Sequence, residues 1–322
     1  MKLTKRLLMF AAAFLVTINA TGAVHAEGYA PGEKINVLIG FKPGGGSDNL
    51  AQLVEPFLAK AMNVTFVNQY IPGAAGAIAW TKLGNSTKND GYTISITNSP
   101  MIVANYLLNS EIKYNVKQFE PIANVVTDPG ILVVGKDSPY KTAEEFFAAA
   151  KANPDSLTVG NSGIGGDDFF SCIFLERLTG VTLKKVPFKG DGPSMTAAMG
   201  GKIDASSNNL GTVYQQITAG NLRALAIYSS KRNDLVPDVP TMKELGYDLD
   251  NGSSRGFSAP MGIPADKRAA LIAGFEKVLS DPEFLAEAER RAQIINPIIG
   301  DDYKKMLFDM EVEYKPIVDS VK

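Results

Sequence analysis

The feature that most limits how this chain can fold is an alternation. Apolar runs of strand length are separated by longer stretches of helical periodicity. Residues 34–41 (KINVLIGF) read as a buried strand. A helix follows over 48–61, with Leu50, Leu53, Val54, Phe57, Leu58 and Ala61 on one stripe. Further strands are predicted at 64–69, 92–97, 157–160, 183–187 and 223–228, and two more within 121–135. Helices are predicted at 74–83, 142–151, 167–178 and 193–199, with a mainly helical tail over 265–321. Such alternation argues for an α/β protein built on parallel sheets. Two of the strand–helix units resemble each other and lie about 120 residues apart, roughly one domain length. Two lobes are therefore expected, each a mostly parallel sheet flanked by helices. The Gly/Ser-containing stretch 250–256 reads as a loop.

The N-terminus bears on compartment. Lys2, Lys5 and Arg6 precede an apolar run over 7–23, and Val24-His25-Ala26 offers the residues a signal peptidase reads. A membrane anchor is the competing reading. The run is short for a spanning helix and is diluted by Thr17, Asn19, Thr21 and Gly22. Cleavage after Ala26 is expected, with export to the periplasm. It would remove the chain's one histidine, His25. Nucleophilic triads and ordinary zinc sites would then lack an imidazole. The single cysteine, Cys172, sits in the apolar stretch FFSCIF and reads as a buried small hydrophobe. After cleavage 29 Lys and Arg face 34 Asp and Glu, and no basic block marks a nucleic-acid surface. No catalytic residue, metal site or cofactor is assigned.

The glycine-rich loops carry the chemistry. Pro43-Gly44-Gly45-Gly46-Ser47-Asp48 and Asn161-Ser162-Gly163-Ile164-Gly165-Gly166-Asp167-Asp168 each leave a strand and open a helix. The first turn of a helix has N–H groups without intrahelical partners, and its dipole favours an anion. Two such loops facing each other could hold a carboxylate. The plainer reading makes Asp48 and Asp167 helix N-caps, which leaves other amides free. Neither loop fits a phosphate-binding or dinucleotide-binding pattern. Ile71-Pro72-Gly73-Ala74-Ala75-Gly76 and Phe188-Lys189-Gly190-Asp191-Gly192-Pro193 look similar. Lys189 and Arg255 are nearby cations. Arg255 is either a bidentate carboxylate clamp or a solvated loop charge. Asn98, Ser99, Asn208 and Asn209 follow strand-like runs and offer neutral hydrogen bonds.

Taken in order, these segments resemble the tripartite tricarboxylate transporter and Bordetella-uptake type of solute-binding proteins. The resemblance is carried by FKPGGGSD (41–48), PGAAG (72–76), DGYT (90–93), SGIGGDD (162–168), VPFKG (186–190), GGKID (200–204), LRALA (222–226), PDVPT (237–241) and Ala259-Pro260. It implies a two-lobed, flytrap-like (type II) periplasmic receptor for small carboxylates. The receptor would serve a large and a small membrane subunit, as a monomer and without enzymatic activity. Lobe 1 is expected over 27–128 plus 229–322, and lobe 2 over 129–228. The ligand-binding set is Phe41, Gly44, Gly45, Gly46, Ser47, Asp48, Ala74, Ala75, Gly76, Asn98, Ser162, Gly163, Gly165, Gly166, Asp167, Asp168, Lys189, Asn208 and Arg255. Gln52 and Phe169 stand where many members carry Arg and His, so the ligand does not follow from the family. Two alternatives are an enzyme using Asp167 and Asp168 as acid and base, and a sensor presenting its closed form to a membrane kinase.

Overall fold

The computed structural model describes residues 28–44, 46–291 and 293–321. The expected signal segment 1–26 and the site candidate Gly45 lie outside them. No helix among the described residues is long and apolar enough to cross a membrane.

The first lobe opens with β1 (Lys34–Ile39), α1 (Gly46–Met62), β2 (Thr65–Tyr70), α2 (Ala77–Asn85), β3 (Thr93–Ser99) and α3 (Met101–Leu108). A 17-residue strand, β4 (Phe119–Gly135), then runs into the second lobe. That lobe contains α4 (Ala143–Ala152), β5 (Thr158–Asn161), α5 (Asp167–Thr179), β6 (Lys184–Pro187), α6 (Asp191–Met199), β7 (Ala205–Asn209), α7 (Leu210–Thr218) and β8 (Leu222–Tyr228). The chain returns through β9 (Gly252–Pro260) and ends with α8 (Ala265–Leu279), α9 (Pro282–Arg290), β10 (Ile295–Ile299) and α10 (Asp301–Val321).

In the first sheet β2, β1 and β3 are parallel, and β9, β4 and β10 add antiparallel strands. The second sheet repeats the plan, with β6, β5 and β7 parallel and β4 and β8 antiparallel. Both sheets are thus parallel on the outer side and antiparallel toward the hinge. β4 belongs to both, through residues 119–129 in the first and 130–135 in the second.

Two local expectations need correcting. Residues 121–135 form one continuous strand rather than two, because Pro129 and Gly130 continue the pairing with β9 and then β7. The stretch 250–256 is no loop: from Gly252 it is the start of β9, wedged between β3 and β4. Its Ser/Gly composition hid it, since strand propensity rests on side chains that pack. Here the backbones approach so closely that a Cβ on Gly256 would collide with the Ala123 carbonyl.

Apolar faces lock the layers together. Leu50, Leu53, Val54 and Leu58 of α1 are fully buried with Leu271 and Phe275 of α8 and with Ile35 and Val37 of β1. Each such side chain contributes about 1.5–3 kcal/mol. Trp80 is buried on the opposite face of that sheet, its indole N–H donating to the Ile96 carbonyl at 2.9 Å. Helix α10 straddles both lobes. Tyr303 and Leu307 pack beside Trp80, whereas Tyr314, Ile317 and Val318 pack with Phe170 and Phe174 of α5. Met242 and Leu249, in the return segment, also lie in that second-lobe core. Cys172 is buried there, and burial pushes its thiol up to about 12.

Candidate functional site

Parallel strands end in loops on one edge of a sheet, and ligands of such folds bind there. In this protein the loops after β2, β5 and β6 converge on a cleft of about 500 Å³. Ala75, Met101 and Asn105 of the first lobe form one wall. Ser162–Asp167, Gly190–Gly192, Asn209 and Thr212 of the second form the other, and Ser253 and Arg255 of β9 lie between them. A second cavity, about 540 Å³, lies on the reverse face of β9, lined by Gly252 and Ser254 and by Asp302, Lys305 and Asp309 of α10. Alternation along the strand separates the two. Only the first is fed by the glycine loops.

The first-lobe wall is held in a costly conformation. Gly73, Ala74, Ala75 and Gly76 all have positive φ, at 142°, 47°, 50° and 91°. For alanine this costs about 1–2 kcal/mol per residue. The strain is fixed from outside by Asn105, whose amide donates to the Ala75 carbonyl at 3.1 Å.

The loop over 44–48 does not line the cleft among its described residues; it sits behind it. Asp48 is buried and accepts from the Gly44 N–H (2.7 Å), Gln52 Nε2 (2.9 Å) and the Tyr70 hydroxyl (2.6 Å). These bonds, Tyr70 first, hold its carboxyl below the usual range. Ser47 donates to Asn98 Oδ1 at 3.2 Å. Phe41 stacks edge-on against Trp80. Gly46 has a spatial role: a Cβ there would lie 3.0 Å from Arg255 Nε. The first glycine loop therefore makes room for the guanidinium that faces the cleft. Arg255 pairs with Asn98 across β3 and β9. Among the described residues its guanidinium has no hydrogen-bond or ion-pair partner.

The second-lobe wall is acidic. Asp167 begins α5, yet its side chain does not cap that helix. It accepts from Asn209 Nδ2 at 2.6 Å, so the capping expectation fails for this residue. Burial, then the charge of Asp191, pushes its carboxyl up to about 7, against the pull of Asn209 and Arg255. Asp168 is fully buried, and neither oxygen meets a donor of good geometry. Burial, then Asp167 and Asp191, pushes it well above the carboxylate range. Asp128, at the hinge, is pushed up to about 6 by burial, while the Gly211 N–H and Arg255 pull it down. Asn251 joins hinge to wall, donating to the Asp167 carbonyl (3.1 Å) and Ser171 (2.9 Å) and accepting from Tyr314 (2.9 Å).

Of the expected set, Ala75, Ser162, Gly163, Gly165, Gly166, Asp167 and Arg255 come together in the cleft lining. Phe41, Gly44, Gly46, Ser47, Asp48, Ala74, Gly76, Asn98, Asp168, Lys189 and Asn208 do not line it. Lys189 is exposed, and Asn208 is buried beside Asp191. Asn209, read from the sequence as a neutral hydrogen-bonding group, also lines the cleft, whereas sequence reasoning left Met101, Asn105, Asp191, Thr212 and Ser253 out of the binding set. Asp191 carried a visible signal, a turn of the form Gly-Asp-Gly-Pro after a strand. Asn105 carried none, since it belongs to a helix that the periodicity did not reveal.

Comparison with known proteins agrees with this architecture. A family model described as "Tripartite tricarboxylate transporter family receptor" matches residues 50–321. Protein BugT of Bordetella pertussis is 32% identical over 245 residues, covering 75% of this chain and 74% of its own. A protein encoded in the gbd 5' region of Cupriavidus necator is 31% identical over 257 residues, covering 79% and 77%. Among solved structures, a ligand-free TctC solute-binding protein from Polaromonas superposes with a TM-score of 0.82 at 27% identity, covering 91% of this chain and all of that one. A malate-bound MatC from Rhodopseudomonas palustris superposes with a TM-score of 0.72 at 26% identity, covering 90% and 100%. Two lobes joined at β4 and β9, glycine loops converging on one cleft and this ordered likeness agree: the chain belongs to the tripartite tricarboxylate transporter receptor (TctC) family of solute-binding proteins.

Proposed function

We propose that the protein is an exported periplasmic receptor that captures a small organic carboxylate between its lobes and delivers it to the large and small membrane subunits of a tripartite transporter. One observation carries the reading. Arg255, half-buried at the lobe junction and unpaired among the described residues, faces a cleft whose two walls come from different lobes. A buried guanidinium without a partner is unfavourable, and a carboxylate is its bidentate complement. The Gly163 and Gly166 N–H groups are engaged within their own loop, by Asn161 Oδ1 and the Gly163 carbonyl, which leaves the Ile164 and Gly165 amides and the strained Ala75 turn as further donors. The malate bound by MatC has the chemistry this arrangement suits. Both walls must touch the ligand, because only better binding to the closed form shifts the population toward it.

In this reading 1–26 is the cleaved signal. Residues 27–128 with 229–322 and residues 129–228 form the two lobes, and the protein acts as a monomer. A proton-transfer role for Asp167 and Asp168 gains no support, since Asp168 is sealed beneath the wall.

Calorimetry of the wild type and Arg255→Ala against C4–C6 carboxylic acids and neutral sugars tests the proposal. Binding of carboxylates is expected, with the variant weaker by about 30- to 100-fold. Binding confined to uncharged compounds, or an undiminished affinity in the variant, would refute it.

A further inference from the structure

The turn that forms the first-lobe wall combines unpaired donors with a strained shape. Among the described residues the Ala74 and Ala75 N–H groups have no hydrogen-bond partner. The turn closes only two bonds of its own, from the Gly76 N–H to the Gly73 carbonyl and from the Ala77 N–H to the Ala74 carbonyl. Both alanines are left-handed, at φ 47° and 50°. An alanine leaves that region unless its surroundings hold it there.

Asn105 is placed to hold it. Its Nδ2 donates to the Ala75 carbonyl at 3.1 Å and reaches the Ala74 carbonyl at 3.5 Å. In a trans peptide the C=O and N–H point opposite ways, so a grip on the Ala74 carbonyl also sets the direction of the Ala75 N–H. The far side of the Asn105 amide is occupied as well: the buried Tyr114 hydroxyl approaches it and lacks any other partner. The helix that carries Asn105 is firmly rooted. Ile102 and Val103 are fully buried beside Trp80, Ala104 is buried in the second-lobe core, and α3 packs along α10.

We propose that Asn105 is a positioning residue for ligand binding, which keeps the Ala74-Ala75 turn left-handed, with its N–H groups set, before the ligand arrives. The proposal rests on the carboxylate-receptor reading and adds a residue that acts through the turn rather than by touching the ligand. Without the clamp the alanines relax toward negative φ. The apparent affinity then falls by the fraction of molecules in which the turn is still formed. Glycine populates the left-handed region about as readily as the right-handed one. With glycine at 74 and 75 the clamp therefore has little left to do.

The test is a double-mutant cycle read by calorimetry with malate, succinate and adipate, together with crystal structures of the ligand-free variants. Asn105→Ala is expected to bind roughly tenfold more weakly or worse. Asn105→Asp keeps the shape but cannot donate, and is expected to lose as much. If the alanine variant does not fold, the aspartate variant takes its place. On an Ala74→Gly/Ala75→Gly background the same substitutions are expected to change affinity by less than about threefold. In the ligand-free Asn105→Ala structure Ala75 is expected at negative φ. An equal loss on both backgrounds would mean that Asn105 contacts the ligand directly, and overturns the positioning role. An affinity unchanged by either substitution overturns it too. A wild type that binds none of the three acids defeats the receptor reading instead, and the backbone at Ala75 still decides this proposal: a φ that stays positive without Asn105 refutes it.

Discussion

The two glycine loops look alike in sequence and behave oppositely in the structure. Each leaves a parallel strand, opens a helix and carries aspartate. Asp48 gathers three donors within 3 Å and stays ionised at low cost. Asp167 has one side-chain donor, Asp168 has none of good geometry, and both are pushed toward the neutral form. The first loop is a buttress for Arg255; the second is an electrostatic surface held in readiness. Equivalent motifs therefore do not imply equivalent chemistry, because the number of donors that reach the carboxylate decides its role.

The widest gap between the loops is in stability. Replacing Asp48 removes three hydrogen bonds to a charged acceptor and leaves the Gly44 N–H and Tyr70 hydroxyl without their partner. Asp48→Ala is expected to cost about 3 kcal/mol in denaturant unfolding. A loss below about 0.5 kcal/mol, the size of an ordinary surface change, would break the comparison.

Asp168→Asn has the opposite sign. The folded-state pKa of Asp168 lies above that of the unfolded chain, as does that of Asp167. Their stabilising contribution is complete below about pH 4 and is lost as pH rises through the folded value, about 7 for Asp167. The variant is expected to match the wild type near pH 4.5 and to exceed it by about 1 kcal/mol at pH 8. A loss of stability that is the same at every pH would show that Asp168 has a partner after all. Asp48 behaves in reverse. Its lowered pKa adds stability above about pH 4, which is lost only as pH falls through the depressed value.

A finer probe separates charge from contact. Tyr70→Phe keeps the ring but removes the largest contributor to the lowered pKa of Asp48. A loss of about 1 kcal/mol is expected at neutral pH, shrinking as Asp48 is protonated. A loss that does not vary with pH would place the effect in packing.

The strand–helix alternation and the glycine loops were legible because they depend on local patterns: apolar period, flexible turn, helix start. The two-lobed layout followed from two such units a domain length apart. β9 was not legible. Gly252-Ser253-Ser254-Arg255-Gly256 has no strand propensity of its own and becomes a strand because β3 and β4 flank it. That failure concealed the site as well, since Arg255 reads as a charge on a loop until β9 places it at the lobe junction. Asn105 and Asp191 enter for the same reason, through elements that meet only in three dimensions. The converse holds for Gly44–Asp48, whose motif is plain but which supports the cleft from behind.

The most direct test is a crystal structure of the protein purified without refolding, with any ligand retained. Electron density for a carboxylate within hydrogen-bond distance of Arg255, between Ala75 and the Ser162–Asp167 loop, is the expected result. A ligand seated instead on the reverse face of β9 against α10, or one in the cleft that leaves Arg255 untouched, would contradict it.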